Sequence, residues 1–493
     1  MKKIFIISIF FCFFQAKGNT WCTIQENVCN AVVQIFVQAI STNILKPYET
    51  PQEKSGTGSG FIINEKGYII TNAHVVNQAI GIWIYIPSIG KHLMKVELVS
   101  IAPTKDLALL KISDFDLEFI KNKLGAIPYV ALGNSDSLKK AENILTLGYP
   151  MPTSQSTLKI TKGIFSGKAI INNQEMLQID AAVNPGSSGC PVFNKAGKVI
   201  GITQSGIVEA QNIGYIIPVN RLKNALKHMY KIPLLHNTFL GLLTTNATIS
   251  LTDYLGNPQP GGCYVIDVIK NSALEKAGVQ KDDMIYEVNG YELDIYGEMS
   301  VEWSQDRIFI VDYIERLSIG DKVDMKVYRK GRLLSLTATI CESDLPKIRA
   351  IYPGYEKIDY EIFAGMIVMQ LNINHIQLFK NYAPGLLKYT QMNLQNESVL
   401  IITHIFNNCL LSRAQTISAG MVVEEINNQP VKTLQDFRSI IKSSLDDKHL
   451  LIKTMDTISS YSSSIFTVLA MQDVIHEEPQ LAQIYGYPMS NLL

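Results

Sequence analysis

The sequence predicts a mainly β protein with an all-β sandwich or barrel at its amino-terminal end and α+β domains behind it. Short apolar runs separated by Gly/Asn turns recur along residues 19–235 at the ~8–12-residue spacing typical of such β folds. Further along, strand, short helix and strand patterns occur twice, at residues 236–345 and 346–493. The length of 493 residues fits about three domains at ~150 residues each.

The amino terminus has the pattern of a secretory signal. Lys2-Lys3 is followed by the apolar run Ile4 to Phe14 and by Ala16-Lys17-Gly18, a small-x-small cleavage candidate. This run is too short to span a bilayer, which needs ~17–25 residues. We therefore expect a signal peptide at residues 1–18 and an exported mature chain, most simply in a bacterial periplasm, without a transmembrane segment; an uncleaved anchor is the alternative.

Composition argues against several classes of partner and cofactor, although a local charged patch stays possible. Lys+Arg and Asp+Glu are both 44, so bulk charge recruits neither nucleic acid nor an acidic membrane. The sequence contains no zinc-type spacing of ligands and no phosphate-binding glycine-lysine motif, so we expect neither metal nor other cofactor. Cys22 and Cys29 are the closest cysteine pair, and a helix between them would hold them ~10 Å apart along its axis, beyond disulfide reach.

The strands of the first domain can be placed one by one. Leu45–Ser55, with its prolines and charges, reads as a loop, and Arg221–Tyr230 reads as a closing helix. A first strand is expected around Val33–Val37, and two more flank a turn at Glu65–Gly67. The remaining predicted strands are Ile80–Ile86, Met94–Ile101, Leu107–Ile112, Ile144–Leu147, Ile164–Ile171, Met176–Asp180, Val199–Gln204 and Gly214–Ile217.

A serine between glycines marks the stretch Asp180–Pro191. Ser188 lies in Gly186-Ser187-Ser188-Gly189, immediately before an apolar strand. Glycines allow positive φ and the close approach of a substrate carbonyl. Backbone N–H groups of such a turn can converge on a developing oxyanion. Ser188 is therefore a candidate nucleophile, although an ordinary Gly/Ser loop has the same local sequence.

Two upstream residues can serve this serine as base and as orienting group. His74 follows Thr71-Asn72-Ala73 at the predicted end of a strand, and Asp106 precedes the apolar strand Leu107–Ile112. Strand ends present catalytic groups from a rigid scaffold. The chain order His, Asp, Ser is that of one known arrangement of the catalytic triad.

These stretches resemble the catalytic motifs of the HtrA/Deg family of trypsin-fold serine proteases. Further matches are Leu132-Gly133-Asn134-Ser135, Gly148-Tyr149-Pro150, Thr161-Lys162-Gly163-Ile164 and Gly214 to Asn220. The resemblance implies two six-stranded barrels, a triad of His74, Asp106 and Ser188, and an oxyanion hole formed by the N–H groups of Gly186 and Ser188. Two positions depart from the family pattern: Ser187 replaces an Asn and Cys190 replaces a Gly. We expect Cys190 to be a structural side chain.

The resemblance also places the pocket for the substrate residue before the scissile bond. It would be lined by the segment before Ser188 and by two strands, with Val183, Ile202 and Ile216 as candidates. An apolar substrate residue of small to medium size is expected. Each of these side chains could equally belong to the core.

Residues 236–345 resemble a PDZ domain. Phe239, Leu240, Gly241 and Leu242 match the loop whose N–H groups bind a peptide carboxylate, so C-terminal peptides are the expected partners. A packing module with an empty groove is the alternative. Residues 346–493 look like a divergent second copy, in which Phe363-Ala364-Gly365-Met366 parallels that loop. We expect the second copy to serve scaffolding or oligomerisation.

The resemblance implies an ATP-independent serine endopeptidase that degrades unfolded or damaged exported proteins. It also implies trimer-based homo-oligomers and PDZ-mediated substrate engagement. One alternative is a regulatory protease activated by a peptide at the first PDZ domain. Another is a chaperone or binding protein with weak or no proteolysis, suggested only by the two departures in the serine turn.

Overall fold

The computed structural model describes residues 20–150, 157–171, 174–184, 186–204, 213–236, 241–340, 345–391, 393–459, 463–490 and 492. The predicted signal peptide at residues 1–18 and the loop residues Phe239 and Leu240 lie outside this part of the chain. By contact the chain forms two units. The first contains the described residues up to Phe36, Thr57–Val75 and Ile82–Pro233. The second contains Val37–Gly56, Val76–Gly81 and the residues from Leu234 onward.

Six strands close the first barrel in the order β1-β2-β3-β6-β5-β4. They are β1 (Val32–Ser41), β2 (Gln52–Ile62), β3 (Tyr68–Thr71), β4 (Ala79–Tyr85), β5 (Leu93–Ala102) and β6 (Leu107–Ile112). Strand β5 begins with alternating exposed and buried residues, as expected for a strand with one face on a core. The predicted strands are confirmed within a few residues. The predicted loop at Leu45–Ser55 is partly wrong, because β2 already begins at Gln52, and the first five residues of the strand are exposed.

The second barrel closes in the order β10-β11-β12-β9-β8-β7. Its strands are β7 (Asn143–Gly148), β8 (Lys159–Ile171), β9 (Gln174–Ile179), β10 (Pro191–Phe193), β11 (Val199–Gln204) and β12 (Gly214–Pro218). Its core includes the fully buried Ile144, Ile179 and Val192. The two barrels thus confirm the expected mainly β architecture of this region.

Among the described residues, the α-helices that accompany the barrels are α1 (Trp21–Val28), α2 (Asp114–Leu124) and α3 (Val219–Met229). Helix α1 begins at the cap Thr20, and the thiols of Cys22 and Cys29 are both free. Helix α3 confirms the predicted closing helix and buries one apolar face, which includes Leu222 and Met229. Helix α2 was not predicted.

The next region is built on a sheet of order β13-β14-β15-β19-β20, with β16 paired to β15. The strands and helices of this region are β13 (Leu242–Thr245), α4 (Ile249–Tyr254), β14 (Cys263–Val268), α5 (Ala273–Lys276), β15 (Met284–Val288), β16 (Tyr291–Glu292), β17 (Glu298–Met299), β18 (Ile308–Phe309), α6 (Ile310–Glu315), β19 (Lys322–Arg329) and β20 (Arg332–Thr339). The strand, short helix and strand pattern read from the sequence is present here.

The last region repeats this sheet with one strand added, in the order β21-β22-β23-β24-β26-β27 and with β25 paired to β24. Its elements are β21 (Tyr360–Phe363), β22 (Met366–Gln370), α7 (Ile373–Phe379), β23 (Leu400–Ile405), α8 (Leu410–Ala414), β24 (Val422–Ile426), β25 (Gln429–Pro430), α9 (Leu434–Ser443), β26 (His449–Met455), β27 (Ser464–Ala470) and α10 (Met471–Tyr485). Helix α7 and a 3-10 helix at Pro384–Thr390 lie between β22 and β23.

Candidate active site

Asp106, His74 and Ser188 form one continuous row of hydrogen bonds. His74 Nε2 lies 2.8 Å from Ser188 Oγ. On the other side of the ring, Nδ1 lies 2.9 Å from Asp106 Oδ2 and 3.0 Å from Oδ1. A carboxylate accepts only, so Nδ1 carries the proton and Nε2 is free to accept from the serine hydroxyl. The first barrel supplies the acid and the imidazole, and the second supplies the hydroxyl.

The backbone around His74 and Asp106 fixes their relative orientation. His74 lies in a 3-10 turn, Ala73–Val75, just after β3, and its own N–H donates to Asp106 Oδ1 at 3.0 Å. Asp106 has φ 51° and ψ 44°, a left-handed conformation that costs a non-glycine residue energy. The side chain of Asn72 holds it there by donating to the Asp106 carbonyl at 3.0 Å.

The turn around Ser188 needs its glycines. Gly189 has φ +85°, and a side chain there would overlap the Ser59 carbonyl of the first barrel. Gly186 also has positive φ, at +88°. Ser187 is buried, its N–H donates to the Asn184 carbonyl at 2.9 Å, and its own carbonyl accepts from the Thr203 hydroxyl.

Ser59, which was not among the predicted site residues, joins three segments around this turn. The fully buried hydroxyl donates to the Gly186 carbonyl at 3.1 Å and accepts from the Tyr149 N–H at 2.9 Å. The Ser59 N–H donates to the Ser188 carbonyl at 2.9 Å. Ser59 thereby links β2 to both Gly186 and Ser188 of the serine turn.

Cys190 is a buried thiol packed against Gly148. It is 2% exposed, and any side chain at position 148 would overlap its Sγ. Burial raises the pKa of the Cys190 thiol to about 11. A thiol that stays protonated at neutral pH is a poor nucleophile. This environment agrees with a structural role for Cys190.

The three candidate pocket residues do not share one surface. Ile202 pairs with Ile217 and Thr203 pairs with Ile216, so Ile202 and Ile216 lie on opposite faces of the sheet. Both are fully buried. Val183 is half-buried and packs against the core cluster that contains Ile216. Sequence spacing could not reveal this, because the face of each residue depends on strand register.

Of the predicted carboxylate-binding loop, Gly241 and Leu242 can be placed. Gly241 has φ +79° and packs against Ser272, the cap residue of α5. Leu242 begins β13. Phe239 and Leu240 lie outside the described residues.

Within the described part of the chain, no group of three His, Cys, Asp or Glu side chains is arranged to hold a metal ion. The same part contains no helix that is both long and apolar enough to cross a membrane.

Comparison with known families and proteins gives consistent matches. Residues 58–202 match the trypsin-like peptidase domain and residues 239–340 match the PDZ domain. A probable periplasmic serine endoprotease DegP-like of Hahella chejuensis is 27% identical over 401 residues, which cover 80% of this chain and 76% of that protein. The protein of the same description from Chlamydia trachomatis is 25% identical over 413 residues, covering 82% and 73%.

The fold is also similar to solved structures. An HtrA-type protease AlgW, solved with a decapeptide, superposes with a TM-score of 0.50 at 23% identity. The match covers 66% of this chain and 100% of that one.

Proposed function

Since the chain belongs to the HtrA/Deg family of trypsin-fold serine endoproteases, we propose that His74, Asp106 and Ser188 are its catalytic triad. The observation that carries this assignment is the unbroken row of hydrogen bonds from Asp106 through His74 to Ser188. It supplies a nucleophile, a base and an orienting carboxylate in contact with one another.

The proposed mechanism follows from this geometry. Ser188 Oγ attacks the scissile carbonyl while His74 Nε2 accepts its proton, which His74 later gives to the leaving amine. Asp106 keeps the proton on Nδ1 and stabilises the imidazolium that forms. The N–H groups of Gly186 and Ser188 are assigned to the oxyanion, and the fixed serine turn favours this assignment.

The proposed substrates are unfolded or damaged exported proteins, cleaved without ATP, metal or cofactor. Relatives described as periplasmic support an exported, periplasmic location. Removal of residues 1–18 as a signal peptide is part of the proposal and rests on the sequence pattern. Val183 and Ile216 remain the candidates for the specificity pocket. The matched PDZ domain supports engagement of C-terminal peptides near Gly241 and Leu242. A trimer-based homo-oligomer is part of the same proposal.

Proteolysis of reduced casein without ATP or metal tests the triad. Replacing the nucleophile or base of a triad lowers kcat by ~10⁴–10⁶, or ~5–8 kcal/mol of transition-state stabilisation. We expect this loss in Ser188→Ala and His74→Ala, with substrate binding and melting temperature retained. Cleavage by either variant at the wild-type rate would contradict the assignment.

The same experiment separates the alternatives. A chaperone without proteolysis predicts that wild type and both variants suppress casein aggregation equally and that none cleaves. A peptide-regulated protease predicts that the wild type cleaves casein only after a C-terminal peptide is added. Cleavage of unrelated unfolded proteins without added peptide favours general degradation.

A further inference from the structure

The two α+β sheets differ at one edge. A PDZ domain binds a peptide as an added strand, antiparallel to the strand that follows the carboxylate-binding loop. In the first sheet this strand is β13, and within the described residues it is the edge of the sheet. In the second sheet the corresponding strand is β22, and β21 already covers its outer edge.

Strand β21 runs in the direction of a bound peptide. Tyr360 pairs with Met369 and Phe363 pairs with Met366, so β21 is antiparallel to β22 and ends at the loop. Phe363 therefore lies where the last residue of a peptide would lie, and its side chain is fully buried. Ala364 and Gly365, both with positive φ, then turn the chain directly into β22.

Helix α9 closes the other side of this strand. It packs against both β21 and β22, as the helix beside a PDZ peptide groove does. Arg438 of α9 donates to Glu361 at 2.7 Å, to both oxygens of Asp359 at 2.9 and 2.7 Å, and to the Tyr360 carbonyl at 2.9 Å. One guanidinium thus connects helix α9 to three consecutive residues, 359–361, at the start of β21.

A carboxyl group also lies at the loop. The Glu478 side chain from α10 accepts from the Ala364 N–H at 3.1 Å, and its other oxygen accepts from the Tyr487 hydroxyl at 3.0 Å. Glu478 is fully buried. A backbone N–H of the loop, a type of donor that holds a peptide carboxylate in PDZ domains, is therefore already used within the chain.

We propose that the region after residue 345 is a PDZ module whose peptide groove is filled by its own residues Asp359–Phe363, so that peptide C-termini bind only the first PDZ domain. Binding of peptide C-termini by the first PDZ domain rests on the proposed function. The self-filled groove itself rests only on the pairing of β21 and the contacts of Arg438 and Glu478.

Amide hydrogen exchange on the full-length Ser188→Ala protein tests this inference. The probes are a decapeptide ending in a valine carboxylate and the same decapeptide as its amide. Without peptide, we expect slow exchange at residues 360–363 and 366–370. The carboxylate peptide should add protection at 242–245 and none at 366–370. Added protection at 366–370, or exchange of 360–363 at the rate of an unstructured chain, would overturn the proposal.

The result also separates this inference from the proposed function. If the peptide protects neither region while 360–363 exchanges slowly, the self-filled groove is supported and peptide engagement by the first domain fails. Arg438→Ala should speed exchange at 360–363 by about tenfold or more. The control Arg413→Ala breaks another arginine–glutamate pair of the same region, with Glu477, and should leave 360–363 unchanged. Equal exchange rates at 360–363 in the two variants would contradict the proposed role of Arg438 in holding β21.

Discussion

Among single residues, Ser59 stabilises the proposed triad although its hydroxyl contacts none of the three triad side chains. Ser59 fixes the Gly186 carbonyl and the Ser188 carbonyl on either side of the nucleophile. Its hydroxyl also satisfies the buried Tyr149 N–H, which would otherwise lose a hydrogen bond at a cost of ~1–3 kcal/mol. Ser59 is therefore a positioning residue for the serine turn.

Ser59→Ala should lower kcat about tenfold or more on a short apolar peptide and leave KM nearly unchanged. The reason is that the variant loses the hydrogen bond to the Gly186 carbonyl. The serine turn, which carries the proposed oxyanion donors Gly186 N–H and Ser188 N–H, is then held less firmly, while the substrate-binding surface stays intact. Steady-state kinetics measure both constants. Ser137→Ala is the control, since Ser137 donates to a carbonyl at an exposed site. A higher KM at constant kcat would show that Ser59 acts on binding instead.

The sequence could identify His74, Asp106 and Ser188 as candidates because each lies in a local pattern with glycines or strand ends beside it. It could not identify Ser59, whose partners Tyr149 and Gly186 lie 90 and 127 positions away. Contacts of this kind follow from the closure of two barrels and leave no local pattern.

At the scale of elements, helix α10 brings an ionisable group into an apolar interior. Burial raises the pKa of the Glu478 carboxyl to about 7, against an ordinary value of 4.5. Tyr487 and the Ala364 N–H favour ionisation of this carboxyl, whereas the nearby Glu477 and Glu361 oppose it. In the unfolded chain the group ionises near its ordinary pKa. Raising the pH from about 4.5 to about 7 therefore destabilises the folded state, by ~3 kcal/mol at the upper end.

Glu478→Gln should raise the melting temperature at pH 8 by several degrees and change it little at pH 4.5. Glutamine resembles the protonated acid in shape and in hydrogen bonding, but it cannot ionise. Thermal unfolding of both proteins across this pH range gives the difference. Glu118→Gln is the control, because Glu118 is an exposed residue of α2 and its replacement should not give a gain that grows with pH. A larger gain at pH 4.5 than at pH 8 would contradict the raised pKa.

Elements could be predicted where one face is regularly buried. Strands such as β5 and β11 agree with their predicted bounds within two residues. Helix α2 was not predicted because only Asp116 and Ile120 of its residues are buried, so its apolar pattern is weak. The cap residue Ser113 and the terminating Gly125 were the available signals for it. Strand β21 was not predicted because it has only four residues and is defined by its pairing with β22.

Across the full chain, the second unit combines segments that are far apart in the sequence. It includes Val37–Gly56 and Val76–Gly81, which the sequence assigned to the first domain. Within this unit, the Thr403 hydroxyl donates to the Leu45 carbonyl at 2.9 Å. The Tyr48 ring packs edge-on against Phe406 and Tyr487, with centroids 5.8 and 5.9 Å away.

Tyr48→Ala should lower the free energy of unfolding by ~1–3 kcal/mol, because two aromatic pairs are lost at ~0.5–1.5 kcal/mol each. Urea unfolding, followed by fluorescence, measures this loss. The control Tyr129→Ala removes a tyrosine that is 48% exposed, and it should change stability little. Equal effects of the two variants would mean that the segment around Tyr48 adds nothing to the stability of the second unit.

Truncation after about Leu235 removes Phe406 and Tyr487 together, so it should expose Tyr48.

The Thr403–Leu45 contact also has a consequence for biogenesis. Its two residues are 358 positions apart, so a chain made or exported from its amino terminus presents Leu45 long before Thr403. The ordering entropy of such a distant closure grows only slowly with separation, but the partner must first exist. The contact of Leu45 can therefore form only after Thr403 has been made. We therefore expect the Leu45 segment to become protected from proteases only in chains that extend beyond Thr403.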